Sequence, residues 1–304
     1  MSRWRSPEDS GPVPLMCRTR RALPFARRLA VTLALVPVVL PQTAALANDP
    51  EGGHDEGSGS FFEIGVSAYA GWRAEARVDP RDDGDGEFGI GVDFSGAWYG
   101  KRFFLEAVEG SFDGAHFGYA LHAGPLWSLD LLLLSIGGDV FLDHDDDEAP
   151  ASVSAADREL LDRDTVYVAS GARAVGWFGN TTVQTRLAVD LEDGGLLAAA
   201  RVGRVRQAGN WSLYGFLGLE HGSRALAERW YGIDADEATE RLPAYRARAF
   251  TALDAELGAS YPIARHWVLD TRVRLREYPS AVSDSPLVQG ERDLLLAGRV
   301  SYVF

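Results

Sequence analysis

Between Trp267 and Arg276 the chain alternates without a break. Trp267, Leu269, Thr271, Val273 and Leu275 share one face of an extended segment, and Val268, Asp270, Arg272, Arg274 and Arg276 share the other. Three arginines and an aspartate on one strand face have no place in a dry core; they need water or carboxylate partners. The preceding segment can supply them, because Asp254 and Glu256 share a face with Gly258 and Ser260, opposite Leu253, Ala255, Leu257, Ala259 and Tyr261. The last segment repeats the pattern, with Leu294, Leu296, Gly298, Val300, Tyr302 and Phe304 against Asp293, Leu295, Ala297, Arg299, Ser301 and Val303. In a soluble sandwich the apolar faces would form the core. In a membrane barrel they meet lipid and the polar faces line the lumen. Alternation alone admits both.

Loop lengths and tryptophans separate the two. From Phe61 onward the chain shows no capped amphipathic helix, only segments separated by Gly, Pro, Asn and Asp, which predicts an all-β meander. The strands are expected at 61–78, 86–98, 102–109, 115–124, 127–142, 165–177, 181–191, 196–205, 211–222, 246–261, 267–277 and 292–304. Alternate connections are short: Tyr99 to Lys101, Pro125-Leu126, Phe178 to Asn180, Arg206 to Asn210 and Pro262 to His266. The others include the long ones, 143–164, 223–245 and 278–291. Short turns at one end and long loops at the other are the pattern of bacterial outer-membrane barrels, whose short turns are periplasmic. An even number of strands then puts both termini in the periplasm. Trp98, Trp127, Trp177, Trp211 and Trp267 each lie beside one of the five short turns, as an interfacial aromatic girdle would. The fold expected over 61–304 is a closed, antiparallel, twelve-stranded transmembrane β-barrel.

The N-terminal 47 residues read as an export signal. Arg3, Arg5, Arg18, Arg20, Arg21, Arg27 and Arg28 precede an apolar run from Leu29 to Leu40, and Ala45-Leu46-Ala47 is a cleavage site. Met16 is an alternative start that leaves a signal of ordinary length. Residues 48–60, rich in Gly, Asp, Glu and Ser, form a polar lead-in. Cleavage removes seven basic and two acidic residues and takes the net charge from -14 to -19, which argues against nucleic acid as a partner. It also removes Cys17, the one cysteine, and with it any disulfide or thiolate chemistry. No stretch reaches the roughly 18 apolar residues of a membrane-spanning helix.

Several stretches match a known family in order and spacing. They are Tyr99-Gly100-Lys101-Arg102-Phe103-Phe104-Leu105, Tyr231-Gly232-Ile233, Glu237-Ala238, Leu242-Pro243-Ala244-Tyr245, Ser260-Tyr261-Pro262, His266-Trp267, Asp284-Ser285-Pro286-Leu287-Val288 and the aromatic terminus. Together they resemble the MipA/OmpV family of outer-membrane proteins. The chain departs from that family after its first strand, where Val78-Asp79-Pro80-Arg81-Asp82-Asp83-Gly84-Asp85-Gly86 replaces a Tyr-x-Gly-Ser stretch. The resemblance implies an outer-membrane barrel without catalytic residues. In the family's best-known member it implies a scaffold that joins a lytic transglycosylase to a bifunctional penicillin-binding protein; other members resemble porins or adhesins.

The candidate sites follow from these readings. Asp254, Glu256, Asp270, Arg272, Arg274 and Arg276 are expected to form a lumenal charge network, either a salt-bridged filling or a constriction that selects small solutes. Asp79, Asp82, Asp83, Asp85 and Glu87 approach a calcium loop, but Pro80 and Arg81 break the ligand order. Asp143, Asp145, Asp146, Asp147 and Glu148 read as a solvated run beside lipopolysaccharide, with loose divalent-cation binding as the alternative. No cofactor or metal is expected. Among His116, His122, His144, His221 and His266, strand parity gives neither His122 nor His221, both within expected strands, a Ser or acidic partner. The expected role is a non-enzymatic scaffold in peptidoglycan remodelling, against a small-solute channel or a surface adhesin. The apolar face through Val300, Tyr302 and Phe304 is the expected signal for the barrel-assembly machinery. Phe304→Asp is therefore expected to lower outer-membrane levels of the protein, measured by membrane fractionation and immunoblotting; unchanged insertion would remove that assignment.

Overall fold

The computed structural model describes residues 59–72, 87–108, 114–136, 154, 156–157, 160, 167–192, 194–288 and 290–304. The signal segment, the lead-in up to residue 58, the acidic runs at 79–85 and 143–148, the Glu87 side chain and His144 lie outside the described residues.

Among the described residues, twelve strands form one closed sheet. They are β1 (Gly59–Trp72), β2 (Glu87–Tyr99), β3 (Phe103–Ala107), β4 (His116–Ala123), β5 (Trp127–Ile136), β6 (Tyr167–Phe178), β7 (Thr181–Asp190), β8 (Leu196–Ala208), β9 (Trp211–Gly222), β10 (Phe250–Ala264), β11 (Trp267–Glu277) and β12 (Arg292–Val303). Each pairs antiparallel with its sequence neighbours, and β1 closes on β12 from Glu63↔Val303 to Trp72↔Leu294. The outward residues are apolar and exposed, among them Ile64, Val66, Ile90, Val92, Leu131, Leu217, Leu257 and Val273. The inward set is small, polar or charged along most of the wall, with large apolar residues such as Leu132, Leu134, Leu197 and Phe250 towards the long-loop end. A slip of one residue would invert the two sets, so the pattern holds the register.

Three of the five short turns, at 179–180, 209–210 and 265–266, are tighter than the sequence suggests. Gly179-Asn180 and Gly209-Asn210 join their strands directly, with φ of +62° and +63° at the glycines, where a Cβ would be strained. Strand β8 thus runs on to Ala208. Strand β10 continues through Pro262 to Ala264, with a register shift between Pro262 and Ala264. A bulge lets a proline stay in a strand although it donates no ladder hydrogen bond. Strand β1 starts at Gly59, because Gly59 and Ser60 already pair with Tyr99 and Trp98.

Four inward glycines each sit opposite an aromatic ring in register: Gly89 with Tyr69, Gly118 with Phe104, Gly222 with Phe250 and Gly258 with Tyr214. A Cβ on any of them would come within 2.0 to 2.2 Å of a ring carbon. The ring lies flat over the space the missing side chain leaves, which lets bulky groups fit inside a narrow barrel.

The expectation of no capped helix is overturned. Helix α1 (Arg224–Tyr231) follows β9, and the one-turn α2 (Ser280–Ser283) follows β11. The Ser223 Oγ accepts from the N–H groups of Leu226 and Leu196, capping α1 and tying it to the start of β8. With only eight residues, α1 spans barely two turns and carries too short a period to stand out within a polar loop.

Gly258→Val is expected to destabilise the barrel by about 1–3 kcal/mol, because the Tyr214 ring must leave its seat. Gly91→Ala, whose added Cβ meets only the Ser67 Oγ at 3.7 Å, is expected to be neutral. The temperature at which the compact, fast-migrating form is lost on semi-native gels reads both.

Candidate functional site

The interior changes character along the strands. From the long-loop end towards the short turns, the inward residues run Leu134, Leu132, Asp130 on β5; Ala169, Gly171, Arg173 on β6; Leu197, Ala199, Arg201 on β8; and Phe250, Ala252, Asp254, Glu256 on β10. Leu134, Leu132, Ala169, Leu197, Phe250 and Ala252 join one buried cluster with Leu226, Ala227, Trp230 and Tyr231 of α1, Ala281 and Val282 of α2, and Val288. Two long loops therefore fold into the barrel mouth as an apolar stopper. Ile233 and Tyr245 pair as an antiparallel bridge, the Ser285 Oγ donates to the Tyr231 carbonyl at 2.7 Å, and the Tyr245 hydroxyl donates to the Ala281 carbonyl at 3.2 Å. A third loop joins them: Leu160 packs with Ile233, Leu242 and Leu287, and the Thr239 Oγ1 donates to Asp157 at 2.6 Å. Gly232 is required where α1 ends, since a Cβ there would lie 2.3 Å from the Glu228 carbonyl oxygen. Arg229 fastens the outer side of α1 to Asp190 at 3.1 Å and to Glu192.

All six residues of the expected charge network lie on the inward face. Asp254, with no accessible surface, receives Arg274 at 3.4 Å and has Arg276 at 4.0 Å. Arg276 also pairs with Glu220 on β9, which lies 3.7 Å from Arg186 on β7. Glu256 is held by the Tyr214 hydroxyl and faces Arg274 and Arg272. Asp270 bonds Ser260 and stands in register with Arg299 on β12, so its partner comes from outside the group expected from sequence.

Two further groups complete the wall. Arg299 binds Glu63 at 2.7 Å and Asp93 at 2.5 Å, while the Ser301 Oγ donates to Glu63 at 3.1 Å. Arg173 bridges Asp130 at 3.2 Å and Glu106 at 3.1 Å; Glu106 also receives the Tyr99 hydroxyl at 2.8 Å and lies 2.7 Å from the His116 Nε2. Arg276–Glu220 skips one strand and Arg173–Glu106 skips two, so nearest-neighbour reasoning passes over them. Their signal is the same parity: Glu220 falls between Leu219 and His221, both exposed, in step with Gly218 and Phe216.

Four of the five tryptophans face outward at the short-turn end: Trp98, Trp127, Trp211 and Trp267, each 40–48% exposed. Trp177 is a correction. It pairs with Thr182, in step with the buried Gln184, and so faces the lumen. The tight Gly179-Asn180 turn gives the outward position to Phe178 instead. Tyr302 points outward between Trp267, 5.3 Å away, and Phe304, 4.9 Å away, with Val300 on the same face. The other described histidines also have partners: His122 stacks on Trp127, His221 bonds the Thr251 hydroxyl at 2.9 Å, and the His266 Nδ1 bonds the Val303 carbonyl at 3.0 Å.

Removing one member of a buried ion pair strands the other. Asp254→Ala is expected to cost about 3–5 kcal/mol, read by urea unfolding in lipid vesicles followed by tryptophan fluorescence. Glu277→Ala removes the exposed pair with Arg292 and is expected to cost about 1 kcal/mol or less.

A model of the MltA-interacting protein MipA family matches residues 60–304. YiaT of Escherichia coli K12, whose name assigns it to the outer membrane, is 28% identical over 153 residues, 48% of this chain. The match spans 61% of that relative's length, and the YiaT of strain O157:H7 matches equally. Among solved structures, the outer membrane channel DcaP of Acinetobacter baumannii is 9% identical, with a TM-score of 0.35, over 82% of this chain and 98% of its own. An anion-selective porin from Comamonas acidovorans is 8% identical, with a TM-score of 0.36, over 82% and 99%. Likenesses that distant carry nothing about function. The closed sheet, its lipid-facing apolar surface and the match over nearly all of the barrel lead to one conclusion: the chain belongs to the MltA-interacting protein MipA family of outer-membrane proteins.

Proposed function

We propose that this barrel is a non-conducting, non-enzymatic scaffold of the outer membrane that helps to hold a peptidoglycan-remodelling assembly. The observation that carries the reading is the stopper: Leu226, Trp230 and Tyr231 of α1 pack inside the mouth against Leu197 and Phe250 of the wall. A transport path would have to displace a buried core. The charged wall on the short-turn side is internally paired, which suits filling better than ion selection. The family's name describes an interaction with MltA, and a lytic transglycosylase together with a penicillin-binding protein is the class of partner proposed here. Their contact would fall on the periplasmic short-turn rim and the lead-in. An adhesin reading draws on the loops 143–164 and 223–245; Leu160, Ile233 and Leu242 of these loops pack together at the stopper, while residues 234–237 stay exposed.

Crosslinked envelopes provide the test. A murein hydrolase or synthase is expected to co-purify with the tagged barrel above the level seen with an unrelated barrel, and its absence overturns the scaffold. In planar bilayers the wild-type protein is expected to be silent, whereas replacing residues 224–244 with a glycine-serine linker is expected to open steady conductance. Steady wild-type conductance that changes with Arg272→Ala or Arg274→Ala would establish the channel reading instead.

A further inference from the structure

The charge of this chain is distributed with a sign reversal. Against a net charge of -14, the segments 95–105, 120–129, 175–185, 203–214 and 261–269 around the five short turns hold Lys101, Arg102, Arg204, Arg206 and Arg265 and no Asp or Glu. Two of these cations lie on the lipid-facing side of the wall. On β8 the inward residues are Leu197, Ala199, Arg201 and Gly203, so Arg204 and Arg206 point outward, in line with the lipid-facing Ala200 and Val202. Their register partners are Thr181 and Gly215 for Arg204 and Leu213 for Arg206, none of them acidic. Both arginines are exposed, and among the described residues neither has an ion-pair partner.

The local shape makes the pair a site rather than scattered charge. The ladder of β8 to β7 ends at Arg204↔Thr181, while its ladder to β9 runs on to Ala208↔Trp211. The β8–β9 hairpin therefore overhangs the turn at Gly179-Asn180, where the Val205 N–H donates to the Asn180 carbonyl at 2.9 Å. The step beside this overhang is floored by Thr181 and edged by Phe178, 66% exposed, with Trp211 at the end of the hairpin. Trp and Tyr mark the plane where hydrocarbon gives way to headgroups. Two guanidinium groups at that plane are matched to phosphate, which they bind through paired N–H donors, while their stems lie along apolar surface.

We propose that the step formed by Arg204, Arg206, Phe178 and Trp211 binds the headgroup of an anionic phospholipid. A soluble polyanion is the poorer fit, because the arginines project sideways from the lipid-facing wall rather than from the tips of the turns.

The full-length mature barrel, purified in a neutral detergent, is titrated by native mass spectrometry with phosphatidylglycerol, with phosphatidylcholine of the same chains, and with lipid A. Phosphatidylglycerol is expected to be retained over phosphatidylcholine, with occupancy falling as ionic strength rises. The Arg204→Gln/Arg206→Gln double variant is expected to lose on the order of 25-fold in affinity for phosphatidylglycerol, at about fivefold for each arginine. Arg224→Gln, at the opposite end, is expected to bind as wild type. Semi-native gel mobility reports whether the double variant folds; if it does not, the two single variants and the salt dependence of the wild type decide. Equal retention of the two phospholipids, salt-independent binding, unchanged affinity in folded variants, or preference for lipid A would each overturn the proposal.

Discussion

The ladder between β1 and β12 is the interaction on which everything else rests. Inside a bilayer no water satisfies a free strand edge, and each open N–H or C=O costs several kcal/mol, so the sheet spans only if it closes. Closure then dictates the alternation that runs through the sequence. Every strand must show lipid an apolar residue and keep its polar residues inside, and the inside is too narrow to hydrate them freely. Charges placed there have to find each other.

They do so in groups that bind strands together beyond the hydrogen-bond ladder. Arg299 gathers carboxylates from β1 and β2 across the closing seam, and Arg173 joins β5 and β6 to β3. Glu220 links β7, β9 and β11 through two arginines. Buried pairs of this kind add little net stability, because desolvation offsets the attraction. Their effect is on register, since a shifted strand would leave a bare charge inside.

Much of this arrangement is legible in the residues alone. Strict alternation at 253–261, 267–276 and 293–304 defines strand, face and partner, and it sets Asp254 opposite the arginines of β11. What escapes such reading has identifiable causes. Pro262 reads as a turn residue because a bulge that absorbs it leaves no mark in sequence. Proximity to a turn puts Trp177 in the girdle, whereas its face depends on the length of that turn, and a two-residue connection exchanges Trp177 for Phe178. Glu220 and Arg186 meet across an intervening strand because tilted strands bring second neighbours to the same height; no local pattern encodes that tilt. Helix α1 escapes because it is only eight residues long: Ser223 and the spacing of Leu226, Ala227, Trp230 and Tyr231 carry the signal of a capped helix, but over barely two turns of a polar loop.

The stopper is built from two different loops, with Leu226 to Tyr231 before β10 and Ala281 to Val288 after β11. It is therefore complete only once the last hairpin has formed. A chain that inserts strand by strand carries an unsealed interior until β12 meets β1, and the same final event shuts the wall and the mouth. Sealing the membrane and finishing the fold are thus a single step.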